Sequence, residues 1–192
     1  MQRLRSVLAV TCTGIAFAVS FVMLARVIGL TSPWLALLLM FYFLGLARVA
    51  EPLFMLRMPA TLRNVRPWEQ SGSNYRQLAV QQFGKLHRGT PLRYLNGNVY
   101  LTSAAQDVRS LHRRTASAEA THFWASVLFT PYIGYLFLAG QASVAALFLV
   151  VQLLFNVYPI LHLRSVRARL DELLHGQHER IERSHVPAVG DV

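Results

Sequence analysis

Two apolar stretches with polar edges, both near the C-terminal end of the chain, decide the fold. The first is entered through Thr115-Ala-Ser-Ala-Glu-Ala-Thr-His-Phe-Trp124, and the second ends in Asn156-Val-Tyr-Pro159 before Arg164-Ser-Val-Arg-Ala-Arg-Leu170. Asn, Glu and His side chains are costly at membrane depth. Their position at the edges of two apolar stretches predicts membrane helices that carry a polar site at the membrane surface.

The composition of the whole chain also indicates a membrane protein. Its 192 residues are 54% hydrophobic and only 15% charged, and the mean hydropathy is +0.35, which is too apolar for an ordinary soluble domain. The length suits one compact bundle. We therefore predict a single membrane domain over 1–175 that includes an interfacial segment at 51–120, followed by a polar tail at 176–192. The single cysteine, Cys12, leaves no disulfide framework within the chain.

Four stretches approach the roughly 20 mostly apolar residues that a spanning helix needs. They run from about 7 to 24 or 30, from 33 to 50, from 122 to 139 and from 143 to 163. Pro33 is expected in the first turn of the second helix, and Gly140 in the turn between the third and the fourth. An alternative for the first stretch is a cleaved signal peptide. The predicted fold is an all-α integral membrane protein with four transmembrane helices and a cytoplasmic amphipathic segment between the second and third.

The distribution of the basic residues, which give the chain a net charge of +10, predicts the orientation of this bundle. Nucleic-acid binding is rejected, because the basic residues flank apolar stretches and form no separate soluble face. The arginines lie mainly before the first stretch, in the long middle segment and in the tail, whereas the two short connections are nearly uncharged. The positive-inside rule therefore predicts that both termini and the middle segment are cytoplasmic.

The middle segment is predicted to contain an amphipathic helix that lies in the headgroup layer. Its apolar residues recur at helical spacing: Tyr75, Leu78, Ala79, Phe83 and Leu86. Thr102 or Ser103 is expected to cap a further helix, which runs through Glu119 into the third span. Most basic residues of this segment are expected to bind anionic lipid headgroups.

Glu119 and His122 are three residues apart and therefore share one helix face. A carboxylate in this position can orient an imidazole as a general base for a hydroxyl. The alternative is an interfacial ion pair that anchors the third span. A di-iron carboxylate site needs two such motifs and further Glu residues, so no metal is expected.

Asn156 precedes Pro159 by three residues, and the proline removes a helix hydrogen bond near Phe155. Asn156 is expected either to satisfy the freed backbone groups or to bind a polar group of a lipid, close to a reacting carbonyl. Tyr158 is either an interfacial anchor or a substrate-binding residue. Arginines at the cytoplasmic boundary suit a phosphate or carboxylate, and ordinary flanking charge is the alternative for each of them: Arg164, Arg167 and Arg169.

At these residues the chain resembles the glycosyl-diaponeurosporenoate acyltransferase family, small bacterial membrane proteins of the staphyloxanthin carotenoid pathway. In the block Glu-Thr-x-x-Ala-Glu-x-x-His-Trp the matching residues are Thr115, Ala118, Glu119 and His122; Arg114 replaces the leading Glu, and Trp124 falls one position late. The second block is Asn-x-Pro followed by Arg-x-x-Arg-x-Arg-Leu. Its matches are Asn156, Arg164, Arg167, Arg169 and Leu170, with Pro159 displaced by one. The resemblance covers roughly 74–174.

The resemblance implies transfer of a fatty acyl group to a sugar hydroxyl on a lipid carrier. In that reading His122, oriented by Glu119, deprotonates the acceptor, and the arginines hold an acyl thioester donor; no bound cofactor is expected. The expected partners are membrane lipids and a lipid-linked substrate in the bacterial inner membrane. The alternative is a non-enzymatic lipid-binding or complex-assembly subunit. A transporter is disfavoured, because the spans show no inverted repeat. The sequence leaves the oligomeric state open.

Overall fold

A computed structural model describes residues 2–54, 57–66, 69, 75, 80, 82, 85 and 108–185 of the protein. The described chain is helical and contains no strand. Its helices are α1 (Gln2–Ile28), α2 (Pro33–Phe54), α3 (Ala60–Arg63), α4 (Val108–Leu138), α5 (Ala142–Gln152), a π-helix (Leu153–Val157) and α6 (Tyr158–His185). The predicted all-α fold is confirmed to this extent.

Three stretches are long and apolar enough to cross a membrane: Val7–Ile28, Pro33–Glu51 and Ala142–Leu174. They correspond to the predicted first, second and fourth spans. Gly29 connects α1 to α2 with a φ of +92°, a left-handed conformation that favours glycine. As predicted, the second helix begins at Pro33, whose missing N–H costs nothing in a first turn.

The predicted third span is helical as far as Leu138, in the C-terminal half of α4. It is not among the three stretches that satisfy the length and apolarity criteria in the described chain. Polar and turn-favouring residues lower its hydropathy, among them His122, Thr130 and Pro131. The fourth crossing therefore stays a prediction. The turn at Gly140, which has a φ of +74°, is confirmed.

The chain forms two compact units. The first comprises Met1–Asn64 and Ser117–His162, and the second Val65–Ala116 and Leu163–Val192. In the first unit, Phe129 of α4 stacks on Phe148 of α5 at a centroid distance of 5.7 Å, within a buried core that also includes Leu35, Met40 and Leu136. The Tyr132 hydroxyl donates a hydrogen bond to the carbonyl of Leu30. The second half of α4 therefore packs in the same core as α2 and α5.

In the second unit, Leu111, Ala168 and Leu170 are buried. His112 Nε2 lies 3.0 Å from Asp171 Oδ1. Of the predicted amphipathic helix at 75–86, the described residues are helical: Tyr75 and Val80 are buried, whereas the polar side chains at 82 and 85 are exposed. Its remaining residues lie outside the described chain, as do Thr102 and Ser103. The helix α6 continues to His185, and the domain limits that we predicted stay predictions.

Candidate functional site

Glu119 and His122 lie one helical turn apart on α4, in the first unit. Both are buried: Glu119 is 0% exposed and His122 is 6% exposed. Burial of both side chains agrees with the shared helix face that the Glu-x-x-His spacing predicts. A carboxyl group and an imidazole removed from bulk water are suited to hold and move a proton at a defined place.

Asn156 lies in the π-helix that separates α5 from α6. In this segment the N–H of Tyr158 donates to the carbonyl of Leu153, five residues back. Pro159 follows at once and has no N–H, and its ring would clash with the carbonyl four residues back in a regular α-helix. A wider π-turn just before the proline is one geometry that avoids this clash. Such turns interrupt α-helices frequently at functional sites.

The Asn156 side chain points into the bundle and is 0% exposed. Its Nδ2 donates to Gln152 Oε1 at 2.8 Å and to Met40 Sδ at 3.2 Å. No described residue donates a hydrogen bond to its Oδ1, which is also buried. The hydrogen bonds described for Asn156 are therefore made to side chains. None of them is made to the backbone groups that Pro159 frees, which is one of the two roles predicted for Asn156.

Gln152 connects Asn156 to α4. Gln152 Nε2 donates to the carbonyl of Ser126 at 3.1 Å, to the Ser126 hydroxyl, and to Thr130 Oγ1 at 3.4 Å. The Thr130 hydroxyl itself donates to the Ser126 carbonyl at 2.8 Å. We call these four side chains the Gln152 network: Ser126, Thr130, Gln152 and Asn156. Uncharged groups of this kind join helices inside membranes.

Arg164 forms a bidentate pair with Glu69 in the second unit. Its Nε donates to Oε1 and its Nη2 donates to Oε2, each at 2.7 Å. The Tyr75 hydroxyl and the Arg66 backbone N–H also donate to this carboxylate, at 3.0 Å and 2.7 Å. Glu69 is only 3% exposed and Arg164 8%. The predicted anion-binding Arg164 is thus engaged by an internal carboxylate.

This environment changes the acidity of Glu69 and of Tyr75. Burial alone would raise the pKa of Glu69, but hydrogen bonds from Arg164, from the Arg66 backbone and from Tyr75 outweigh it, so the pKa lies below its ordinary value. Burial, together with the neighbouring Glu69 carboxylate, raises the pKa of Tyr75. The carboxylate is therefore charged and the phenol neutral around pH 7.

The remaining predicted residues differ in exposure. Arg167 is buried, Tyr158 half-buried and Arg169 exposed. Glu119, His122, Asn156 and Tyr158 belong to the first unit, whereas Arg164, Arg167 and Arg169 belong to the second. Each set is thus placed within its own unit. The predicted convergence of the two sets on one substrate stays a prediction.

Several side chains of these clusters are not predicted as site residues from the sequence: Gln152, Ser126 and Thr130 of the Gln152 network, and Glu69 and Tyr75 beside Arg164. Gln152 precedes Asn156 by four residues in an otherwise apolar span, and this spacing of two amides is a recognisable signal. Glu69 gives no such local signal, because its partner Arg164 is 95 residues away. Among the described residues, no three His, Cys, Asp or Glu side chains are grouped as metal ligands.

The comparison with protein families identifies the family to which the chain belongs. The model of the glycosyl-4,4'-diaponeurosporenoate acyltransferase family matches residues 59–176. The match includes Glu69, Glu119, His122, Asn156 and Arg164. No curated protein and no solved structure matches the chain significantly. Since the family model covers more than half of the chain, the protein belongs to the glycosyl-4,4'-diaponeurosporenoate acyltransferase family.

Proposed function

We propose that the protein is a membrane-embedded acyltransferase that esterifies a hydroxyl group of a lipid or glycolipid at the cytoplasmic face of the bacterial inner membrane. The observation that carries the proposal is the family match over 59–176, which includes every residue that the sequence predicts to take part. The family name specifies a glycosyl carotenoid as the acceptor, and we extend this class of acceptor to the chain.

In the proposed reaction, His122 Nε2 or Nδ1 removes the proton from the acceptor hydroxyl while Glu119 orients the imidazole. The hydroxyl oxygen attacks the carbonyl carbon of an acyl thioester. A C–O bond forms, the C–S bond breaks, and the thiolate leaves and receives the proton from His122. The burial of Glu119 and His122 supports this step, because excluded water cannot compete as acceptor.

We assign the arginines to the donor. Arg167 and Arg169 hold its anionic groups, since a planar guanidinium binds phosphate oxygens in pairs. Arg164 belongs to the same set by sequence, and its bidentate bond to Glu69 orders the α6 segment on which all three lie. Asn156 and Tyr158 bind the acceptor.

The same proposal includes a fourth membrane crossing by the second half of α4, with both termini cytoplasmic. Phe129 and Leu136 of α4 are fully buried in the core shared with α2 and α5. This supports the fourth crossing, because the second half of α4 packs against two of the apolar stretches that are long enough to span. The three apolar stretches alone would leave the termini on opposite sides of the membrane.

The test is direct product analysis. Purified protein in lipid nanodiscs is incubated with a long-chain acyl-coenzyme A and a glycosyl diaponeurosporenoate, and the lipid extract is analysed by mass spectrometry. The proposal predicts an ester whose mass equals acceptor plus acyl chain minus water. Recovery of both substrates unchanged, by a protein that still binds lipid, would instead support a non-enzymatic lipid-binding or complex-assembly subunit.

A further inference from the structure

The Gln152 network has a defined hydrogen-bond direction. The carbonyl of Ser126 can only accept, and the Thr130 hydroxyl already gives its proton to that carbonyl. Towards Gln152 both groups can therefore act only as acceptors, and Gln152 presents its Nε2 to them. The Oε1 of the same amide must then face Asn156.

This direction determines what Asn156 can offer. Because Gln152 presents an acceptor at 2.8 Å, Asn156 must turn its Nδ2 towards it. The Oδ1 of Asn156 is then the last group of the Gln152 network, and it can only accept a hydrogen bond. A flipped Asn156 would bring two oxygens together and lose the bond, so the amide orientation is imposed by α4.

The Oδ1 of Asn156 is a buried acceptor whose hydrogen bond is not satisfied by the described residues. It is buried and receives no hydrogen bond from the described residues, although buried polar atoms are almost always bonded. A network that served only to join α4 to α5 would need no free acceptor at its end. The acceptor also lies in a π-helix, a local geometry that is frequently retained at functional sites.

We infer that Asn156 Oδ1 accepts a hydrogen bond from a hydroxyl group of a membrane-resident glycolipid, and that Gln152 is the positioning residue that keeps this acceptor in place. The inference rests on the proposed function, since that glycolipid is the acyl acceptor. The sequence predicts that Asn156 binds a polar group of a lipid close to a reacting carbonyl, and the geometry points to a hydroxyl, not the carbonyl itself, as that group. A carbonyl would need a donor, and the Nδ2 donor of Asn156 is already used.

The experiment compares two probes, dodecyl β-glucoside and its fully O-methylated analogue, in which four methyl groups replace the hydroxyl hydrogens and leave no hydrogen-bond donor. Binding of each radiolabelled probe is measured at equilibrium in nanodiscs that contain the full-length protein. The wild type is expected to bind the glucoside about tenfold more tightly, which corresponds to one hydrogen bond in a buried site. In Asn156→Leu both probes should bind equally.

Two further variants test the role of Gln152 as a positioning residue. Gln152→Leu removes the direction of the network and should abolish the preference for the glucoside. Gln152→Glu should retain it, because a neutral carboxylic acid can donate to Ser126 and accept from Asn156. Thr13→Val is the matched control: it removes a hydroxyl whose described hydrogen bond lies within α1, and it should leave the tenfold preference intact.

The outcomes separate this inference from the proposed function. An equal preference for the glucoside in the wild type and in Asn156→Leu overturns the inference, even if the wild type forms the ester product. If the wild type prefers the glucoside and Asn156→Leu does not, the inference is upheld, even if no ester is formed. Should Asn156→Leu fail to fold, the contrast between Gln152→Leu and Gln152→Glu decides in the same way.

Discussion

Arg164 and Glu69 form a buried ion pair in the second unit, and we expect this pair to stabilise the fold. Removing one partner of a buried ion pair leaves the other charge uncompensated, which costs about 3–5 kcal/mol. Since the two side chains are almost fully buried and bonded through both oxygens, we predict that Glu69→Leu lowers the free energy of unfolding by about this amount. Denaturant unfolding in detergent micelles measures it.

A double variant separates the charge from the packing. Adding Arg164→Met to Glu69→Leu removes the uncompensated charge, so more than half of the lost stability should return. Glu172→Leu is the matched control: it removes an exposed carboxylate from α6, and a change within about 0.5 kcal/mol is expected. A double variant as unstable as the single one would contradict the pairing.

The pH dependence of stability is determined by the lowered pKa of Glu69. A group whose folded pKa is depressed contributes stability above its unfolded pKa, and this contribution is lost as the pH falls through the folded pKa. The ordinary value is 4.5. We predict that wild type exceeds Glu69→Gln in melting temperature by a constant margin above about pH 5, and that the margin shrinks below pH 4.5. A margin that grows on acidification would contradict the assignment.

At the residue scale, the sequence identifies the candidate side chains but not their partners. Arg164 is predicted from its position with Arg167 and Arg169 at the cytoplasmic boundary of an apolar stretch, which is a local signal. Its carboxylate partner is 95 residues away, and pairing at that separation depends on how the chain folds back. The bond from Gln152 to Ser126 cannot be predicted from the sequence for the same reason, because it joins two helices across 26 residues.

At the scale of elements, the π-helix gives a prediction about chain length. A π-turn accommodates one residue more than the α-helical register, so deleting one of its residues should restore regular helix with little rotation of α6. We predict that deletion of Leu154, an exposed π-helix residue, yields a folded protein with a modestly lower melting temperature. The loss reflects the clash of Pro159 with a backbone carbonyl.

The matched control is deletion of Ala146, an exposed residue of regular α5. It rotates every later side chain by about 100°, since a helix has 3.6 residues per turn. Asn156 would leave the bundle interior, and no monodisperse protein is expected. Size-exclusion chromatography in detergent distinguishes the two deletions. Equal behaviour of both would show that the π-helix does not absorb an extra residue.

The sequence predicts where the three apolar stretches begin better than it predicts the irregularities within them. Apolar length defines the stretches that begin near Val7, Pro33 and Ala142, and Gly140 marks a turn, because these signals are local. Pro159 indicates a disturbed helix nearby. It does not specify a π-turn, since this geometry also depends on how Asn156 packs against Met40.

At the scale of the whole molecule, the number of crossings determines the side on which Gln141 lies. With four crossings and cytoplasmic termini, the turn that contains Gln141 is periplasmic, whereas with three crossings it is cytoplasmic. We predict that Gln141→Cys in a Cys12→Ser background reacts with a membrane-impermeant thiol reagent added to intact cells. Arg109→Cys should react only after the cells are opened.

Charge asymmetry supports this topology, since basic residues are concentrated in the segments predicted to be cytoplasmic. Hydropathy alone does not, because the second half of α4 carries polar residues that lower its average. One of them, Thr130, contributes to the Gln152 network, and another, His122, is the proposed base. The hydropathy signal for the proposed fourth span is thus weakened by residues that we assign to the proposed site.

The acyl-transfer rate of His122→Ala is the decisive measurement for the proposed mechanism. With acyl-coenzyme A and glycosyl diaponeurosporenoate in nanodiscs, loss of the general base should lower the rate at least about 100-fold. His112→Ala, which removes a half-exposed imidazole paired with Asp171, should keep the wild-type rate. A wild-type rate in folded His122→Ala would contradict the proposed mechanism.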